Sequence, residues 1–280
     1  MHSNLTAVRY IGPDGAPRLG ALSGDVVRDA GPAPAAGFVP SPEGWALIEA
    51  AAGEEHALSD VELLHPVQAG KILAIAVNYR AHAEESELDV PAVPVMFAKF
   101  PSSLIGSGAP IVVPREETRP DFEGEVAVVI GRRTYRADEA SALEAVGGIS
   151  ALNDVSGRRA QLETPLRQFT LGKSFDSFTP MGPGIVHPAG LDLGSLALET
   201  TVSGELMQKA STRDLIHSIA TLIVYLSAGT TLEPGDVIAT GTPSGVGDSR
   251  TPPRYLREGD VVEVTVEGVG TLRNPVTLER

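Results

Sequence analysis

Short apolar runs rich in β-branched residues recur along this chain, at Ile72–Val77, Val126–Ile130, Leu196–Val202, Val237–Thr240 and Val261–Val266, with turns marked by Gly, Pro and Asp between them. Runs of this length and type fit strands rather than long helices, so the chain is predicted to be mainly β with some α, an α+β fold. Helical spacing is confined to a few stretches: Pro42–Ala52, carrying Trp45 and Leu47 inward, Asp138–Val146, and Thr212–Leu226 with its stripe of Leu215, Ile219, Leu222, Ile223 and Leu226. Residues 6 to 28 alternate apolar and polar around turns at Pro13-Asp14-Gly15 and Gly24-Asp25, the pattern of a small antiparallel unit. Residues 31 to 42 are rich in Pro, Ala and Gly and read as a linker. We therefore divide the chain into a small β-rich N-terminal domain, residues 1–64, and a larger domain, residues 65–280.

At 280 residues the chain can bury a core that needs no covalent staples. It has no cysteine, which excludes disulfides and thiolate chemistry and leaves only oxygen and imidazole ligands for a metal. Its net charge of -14 repels phosphate backbones and anionic lipid, so nucleic acid and membrane are poor partners. No apolar run approaches the roughly 20 residues of a membrane span, and the start Met1-His2-Ser3-Asn4-Leu5 has no export signature. A cytoplasmic protein is expected.

The segment Asp121-Phe122-Glu123-Gly124-Glu125, running into Val126–Ile130, carries the strongest chemical signal. Residues two apart on a strand share a face, so Glu123 and Glu125 project together toward Ala127 and Val129. Two like charges in an apolar setting are costly unless protonated or neutralised, and a divalent cation neutralises them. Oxygen-only ligation suits Mg²⁺ or Mn²⁺, with Ca²⁺ able to take the same ligands. The plainer alternative is an exposed edge strand with solvated glutamates. Asp154 offers a third carboxylate, with Arg158 and Lys173 near enough in sequence to balance its charge; an ordinary Asn-Asp turn is the alternative.

His82 and Glu85 are three apart directly after a predicted strand, so on a helix they share a face and the carboxylate can orient an imidazole base. A merely exposed histidine is the competing reading. Lys173 lies in Gly172-Lys173-Ser174, but the glycine a phosphate loop requires is Arg167, so its ammonium suits a carboxylate or oxyanion instead. Thr240-Gly241-Thr242-Pro243 follows a strand without any dinucleotide fingerprint, and Gly-x-Ser-x-Gly and His-Glu-x-x-His are both absent.

Taken in order, Asn78-Tyr79 with His82 and Glu85, Asp121 to Glu125, Asn153-Asp154-Val155 with Arg158, Gly172-Lys173-Ser174, Val202-Ser203-Gly204-Glu205, and Pro234-Gly235-Asp236-Val237-Ile238 running into Thr240 to Pro243 are similar to the motifs of the fumarylacetoacetate hydrolase family. The resemblance is strong over about residues 67 to 280. It implies a mixed β-sheet roll, usually a homodimer, with a Mg²⁺ or Mn²⁺ site. Carried across, the metal ligands are Glu123, Glu125 and Asp154; His82 and Glu85 form a water-activating dyad on a lid; and Lys173, Arg158, Gln161 and Thr242 hold substrate. Gly157 replaces a more usual alanine and Phe169 a more usual tryptophan, which bears on substrate shape. The activity this implies first is hydrolysis of a carbon-carbon bond in a small 2,4-dioxo acid such as an acylpyruvate. Decarboxylation or isomerisation of a 2-oxo or hydroxymuconate-type diacid uses the same metal-enolate chemistry, and an idle carboxylate-binding relative is the non-enzymatic alternative.

Overall fold

The computed structural model describes residues 5–280; the reading of Met1 to Asn4 as a start without an export signal lies outside them. Among the described residues the largest element is a 12-stranded sheet. Its path runs from Glu55–Ala57 through Val26–Pro32, Pro17–Ser23 and Thr6–Ile11 to Thr179–Val186, Val146–Asn153, Gly124–Ile130, Val237–Ala239, Ile72–Ala76 and Val95–Lys99. A five-stranded sheet, Glu205–Ser211, Ala197–Val202, Val261–Val266, Gly270–Leu278 and Ile111–Val113, packs against it. The expected β-dominated α+β roll is thus observed.

Strand Gly124–Ile130 is buried over its whole length, and its period-two alternation sorts side chains between two cores. Val126, Val128 and Ile130 pack with Leu198, Val264 and the helix residues Leu222 and Ile223. Ala127 and Val129 face the other way, against Leu152, Met181, Ile185, Phe38 and Trp45. This second core contains residues from both sides of the division at 64/65, and strand Thr6–Ile11 pairs directly with Thr179–Val186 through Thr6–Val186 and Ala7–Ile185.

Three local expectations are corrected. The stretch 31–42 is not a free linker: Phe38 is buried against Trp45, and Gly37 bridges to Val67. Helix Pro42–Glu49 turns Trp45 and Ile48 inward and leaves Leu47 exposed. The apolar stripe after Thr212 is split into a single 3₁₀ turn, Thr212–Asp214, and helix Ile219–Ser227 capped by Ser218. Asn78 causes the break, because its backbone carbonyl accepts from Ile216 N and its side chain bonds both the N–H and the carbonyl of His217, holding residues 215–217 out of a helix.

One polar cluster anchors the N-terminal strands. Asp29 accepts from the Arg18 guanidinium, from Tyr10 Oη at 2.5 Å and from Gly31 N at 2.6 Å. Pairing with Arg18, helped by Tyr10 and Gly31 and opposed by burial, holds the Asp29 carboxyl at about 2. Because the folded value lies below the ordinary one of 3.8, its stabilisation is present above that pH and lost as pH falls toward 2. Asp29→Asn is expected to cost about 2 kcal/mol at neutral pH, a gap that closes in urea titrations carried down to about pH 2. An unchanged gap would remove the ion pair as its cause.

Candidate active site

The antiparallel register Gly124–Asn153 brings the start of one central strand beside the end of its neighbour. Asp154 N then donates to Glu123 O at 2.8 Å, and Glu123 N to Asn153 Oδ1 at 3.0 Å, which fixes both acids by their backbones. One carboxylate oxygen each from Glu123, Glu125 and Asp154 falls within a span of 4.8 Å, and all three residues are buried. This strand is central in its sheet, so the exposed-edge alternative does not hold.

Three cations close around the acids. Lys173, just past helix Phe169–Gly172, donates to Glu123 Oε2 at 2.7 Å, Asp154 Oδ2 at 2.8 Å and Ser156 Oγ at 2.8 Å, so all three ammonium hydrogens are taken. Arg158 holds Asp121 Oδ2 through Nε and Nη2, Gln161 Oε1 through Nη1 at 3.0 Å, and Glu123 Oε1 at 2.7 Å. Lys99 Nζ reaches Asp154 Oδ1 at 2.5 Å, Phe178 O at 3.1 Å and the Lys173 carbonyl. Gly172 is required where it stands, since a Cβ there would come within 2.7 Å of Gln161.

The electrostatics separate the two glutamates. Burial pushes Glu123 up, but the charges of Lys173, Arg158 and His82 outweigh it and hold the carboxyl at about 2. Glu125 goes the other way: burial, then the charges of Asp154 and Glu123, drive it well above the usual carboxylate range, although Gly241 N donates to its Oε2 at 2.7 Å. Burial weighs against the charge on Lys173, and Asp154 and Glu123 more than offset it; for Lys99 burial prevails despite Asp154. Four buried carboxyl groups, counting Asp121, face three cations, and Glu125 is the one without a cation in direct contact. An all-oxygen donor set with a carboxylate that burial and like charge oppose fits a hard divalent cation.

Above this cluster lies a cavity of about 550 Å³. Its floor shows Glu123, Arg158, Gln161, Lys173 and Thr242; Glu125 and Asp154 lie beneath. Helix Arg80–Glu85 supplies a wall, with His82 Nδ1 3.4 Å from Glu85 Oε2. Glu85 Oε1 also accepts from Gly245 N at 2.8 Å, which ties this helix to the loop carrying Thr242. Thr242 Oγ1 donates to Gly124 O and accepts from Gln208 Nε2, so its hydroxyl is held from two sides. His82, Glu85, Glu123, Arg158, Gln161, Lys173 and Thr242 therefore line this cavity, with Glu125 and Asp154 buried next to Glu123. The Ser203-Gly204-Glu205 and Gly235-Asp236 motifs lie away from it, Ser203 bonding Asp260 and Asp236 pairing with Lys71.

Four residues escaped the sequence reading as site components. Asp121 grips Arg158; Gln208 ties Gly124 to Thr242; Glu117 accepts from the N–H groups of Arg159 and Ala160 at the start of helix Arg158–Leu162; and Lys99 braces Asp154. Lys99 left one trace: it shares a strand face with Phe97 in an otherwise apolar Val95–Lys99, where a lone inward lysine needs a buried partner.

The sequence matches the fumarylacetoacetate (FAA) hydrolase C-terminal family over residues 71–277. It is 44% identical over 228 residues to oxaloacetate tautomerase YisK of Bacillus subtilis, covering 79% of this chain and 75% of that protein. Among solved structures, 5-carboxymethyl-2-hydroxymuconate delta-isomerase of Mycobacterium smegmatis superposes with a TM-score of 0.81 at 37% identity, covering 98% of this chain and 99% of that one. A fumarylacetoacetate hydrolase from Exiguobacterium antarcticum gives 0.82 at 35% identity, covering 98% and 100%. The ordered motifs and the fold agree with these matches, and the chain belongs to the fumarylacetoacetate hydrolase family.

Proposed function

We propose that this enzyme moves a proton within a small 2-oxo diacid, as a tautomerase or isomerase that depends on a divalent metal. The observation that carries the reading is the His82–Glu85 pair on the wall of a cavity whose floor holds Arg158 and Lys173: a base faces a cationic seat for an enolate and its carboxylate. Relatives named for tautomerase and isomerase activity support this over the carbon-carbon hydrolysis that the motifs suggested first.

Mg²⁺ or Mn²⁺ held by Glu123, Glu125 and Asp154 would supply Lewis-acid polarisation of the 2-oxo group. Arg158 and Gln161 orient the adjoining carboxylate. With its Nδ1–H turned to Glu85, 3.4 Å away, His82 takes a proton through Nε2 from the carbon next to the ketone. The electron pair passes to the carbonyl oxygen, where Lys173 meets the developing charge by releasing one of its carboxylate partners. Return of the proton to oxygen, or to a more distant carbon of a conjugated chain, completes tautomerisation or isomerisation respectively. No water is consumed.

Hydrolysis remains the second reading, because the same dyad can draw the proton from water and one structural relative is named for it. Ultraviolet assays of oxaloacetate, a hydroxymuconate-type diacid and acylpyruvates, with Mg²⁺ or with chelator, separate the two. The expected result is metal-dependent interconversion with the carbon skeleton intact, slowed about 10²-fold or more in His82→Ala. Stoichiometric pyruvate from an acylpyruvate would replace this reading with hydrolysis.

A further inference from the structure

The cavity contains one cation that its floor does not engage. Arg167 lies in segment 163–168, between helices Arg158–Leu162 and Phe169–Gly172, and lines the same cavity. Among the described residues its guanidinium makes no ion pair or hydrogen bond, whereas Arg158 and Lys173, the other cavity-lining cations, are each held by two carboxylates. Phe97, Leu162, Phe169 and Val246 give the cavity apolar wall, with Asp248 and Ser249 beside them. Glu87 and Asp89 line the cavity from the segment after helix Arg80–Glu85. An anionic tail leaving the floor therefore meets hydrocarbon, the carboxylates of Glu87 and Asp89, Asp248 already paired with Arg119, and a single unengaged positive group, Arg167.

We infer that Arg167 is the specificity-determining residue for the second carboxylate of a diacid substrate. A guanidinium presents paired N–H donors that match a carboxylate in two parallel bonds, and an unpaired one gives up no protein partner to form them. Glu87 and Asp89 sharpen the selection, because without Arg167 the cavity disfavours a tail carboxylate. A 2-oxo acid with an uncharged tail gains nothing from Arg167, so the residue sets preference between diacid and monoacid rather than overall affinity. This rests on the 2-oxo acid reading given above.

Calorimetric titration with a matched pair of probes, 2-oxoglutarate and 2-oxopentanoate, in the presence of Mg²⁺, tests it on wild type, Arg167→Ala and Arg167→Lys. Wild type is expected to bind the diacid at least about 10-fold more tightly. Arg167→Ala should reduce that ratio to within about twofold mainly by weakening the diacid, and Arg167→Lys should retain part of it, keeping charge without the fork. A ratio that persists in Arg167→Ala, or no preference in wild type, overturns the inference. If neither probe binds wild type, the inference falls together with the 2-oxo acid reading. A preference that depends on Arg167 without turnover of any diacid leaves the inference standing and removes the proposed reaction alone.

Discussion

Glu125→Gln is expected to abolish divalent-metal binding and lower turnover by about 10³-fold or more, while making the metal-free protein more stable. Both effects follow from one carboxyl that burial, Asp154 and Glu123 all drive upward. Its folded value exceeds the ordinary 4.5, so in the metal-free chain its ionisation opposes folding, and stability falls as pH rises from 4.5 through the raised value. Glu123, held at about 2, acts in a different window: its stabilisation is lost only as pH falls below 4.5. A neutral glutamine removes the first penalty and keeps an acceptor for Gly241 N. Thermal unfolding at pH 7 with Mg²⁺ and with chelator checks the pair of effects: wild type should gain stability from the metal and the variant should not. A variant that is destabilised without metal, or still stabilised by it, would show that Glu125 is not the carboxyl whose ionisation the metal compensates.

Lys99→Met is expected to destabilise the protein by about 3–5 kcal/mol, among the largest effects available to one side chain. The ammonium is fully enclosed and spans Asp154, the Lys173 carbonyl and the Phe178 carbonyl. Methionine fills comparable space but leaves Asp154 with less compensation and two carbonyls without their donor. Removing Arg132 from its exposed pair with Glu144 is the control, expected to cost less than about 0.5 kcal/mol. Urea midpoints for Lys99→Met within about 1 kcal/mol of wild type would show that Asp154 relaxes onto Lys173 without loss.

The part of the site legible in the sequence is the part that follows from strand periodicity. Glu123 and Glu125 stand two apart at the head of an apolar run, and that alone puts both carboxylates at one end of a buried strand. Asp154 gains its meaning only from the register that lays Asn153 against Gly124, a pairing between segments that no local pattern specifies. Lys99 was less visible still, because its partners Asp154, Lys173 and Phe178 lie 55, 74 and 79 positions away. The stripe from Leu215 to Leu226 had ideal helical spacing, yet Asn78 captures His217 from 139 residues away and breaks it. Periodicity reports which face is buried; it does not report which distant side chain will compete for the backbone.

The loop from Gly241 to Gly245 ends on both halves of the chemistry: Gly241 N rests on Glu125, and Gly245 N on Glu85. Main chain, not side-chain reach, thus gauges the distance between the acidic cluster and the imidazole, like a yoke joining two axles. Glu125 and the helix that carries His82 are thereby joined through the main chain of residues 241–245. Length and side chains are both constrained between those two amides, since Thr242 Oγ1 is held by Gly124 O and Gln208 and both Gly241 and Gly245 have positive φ, so an insertion of one residue there is expected to take Gly245 N off Glu85 and detune the base.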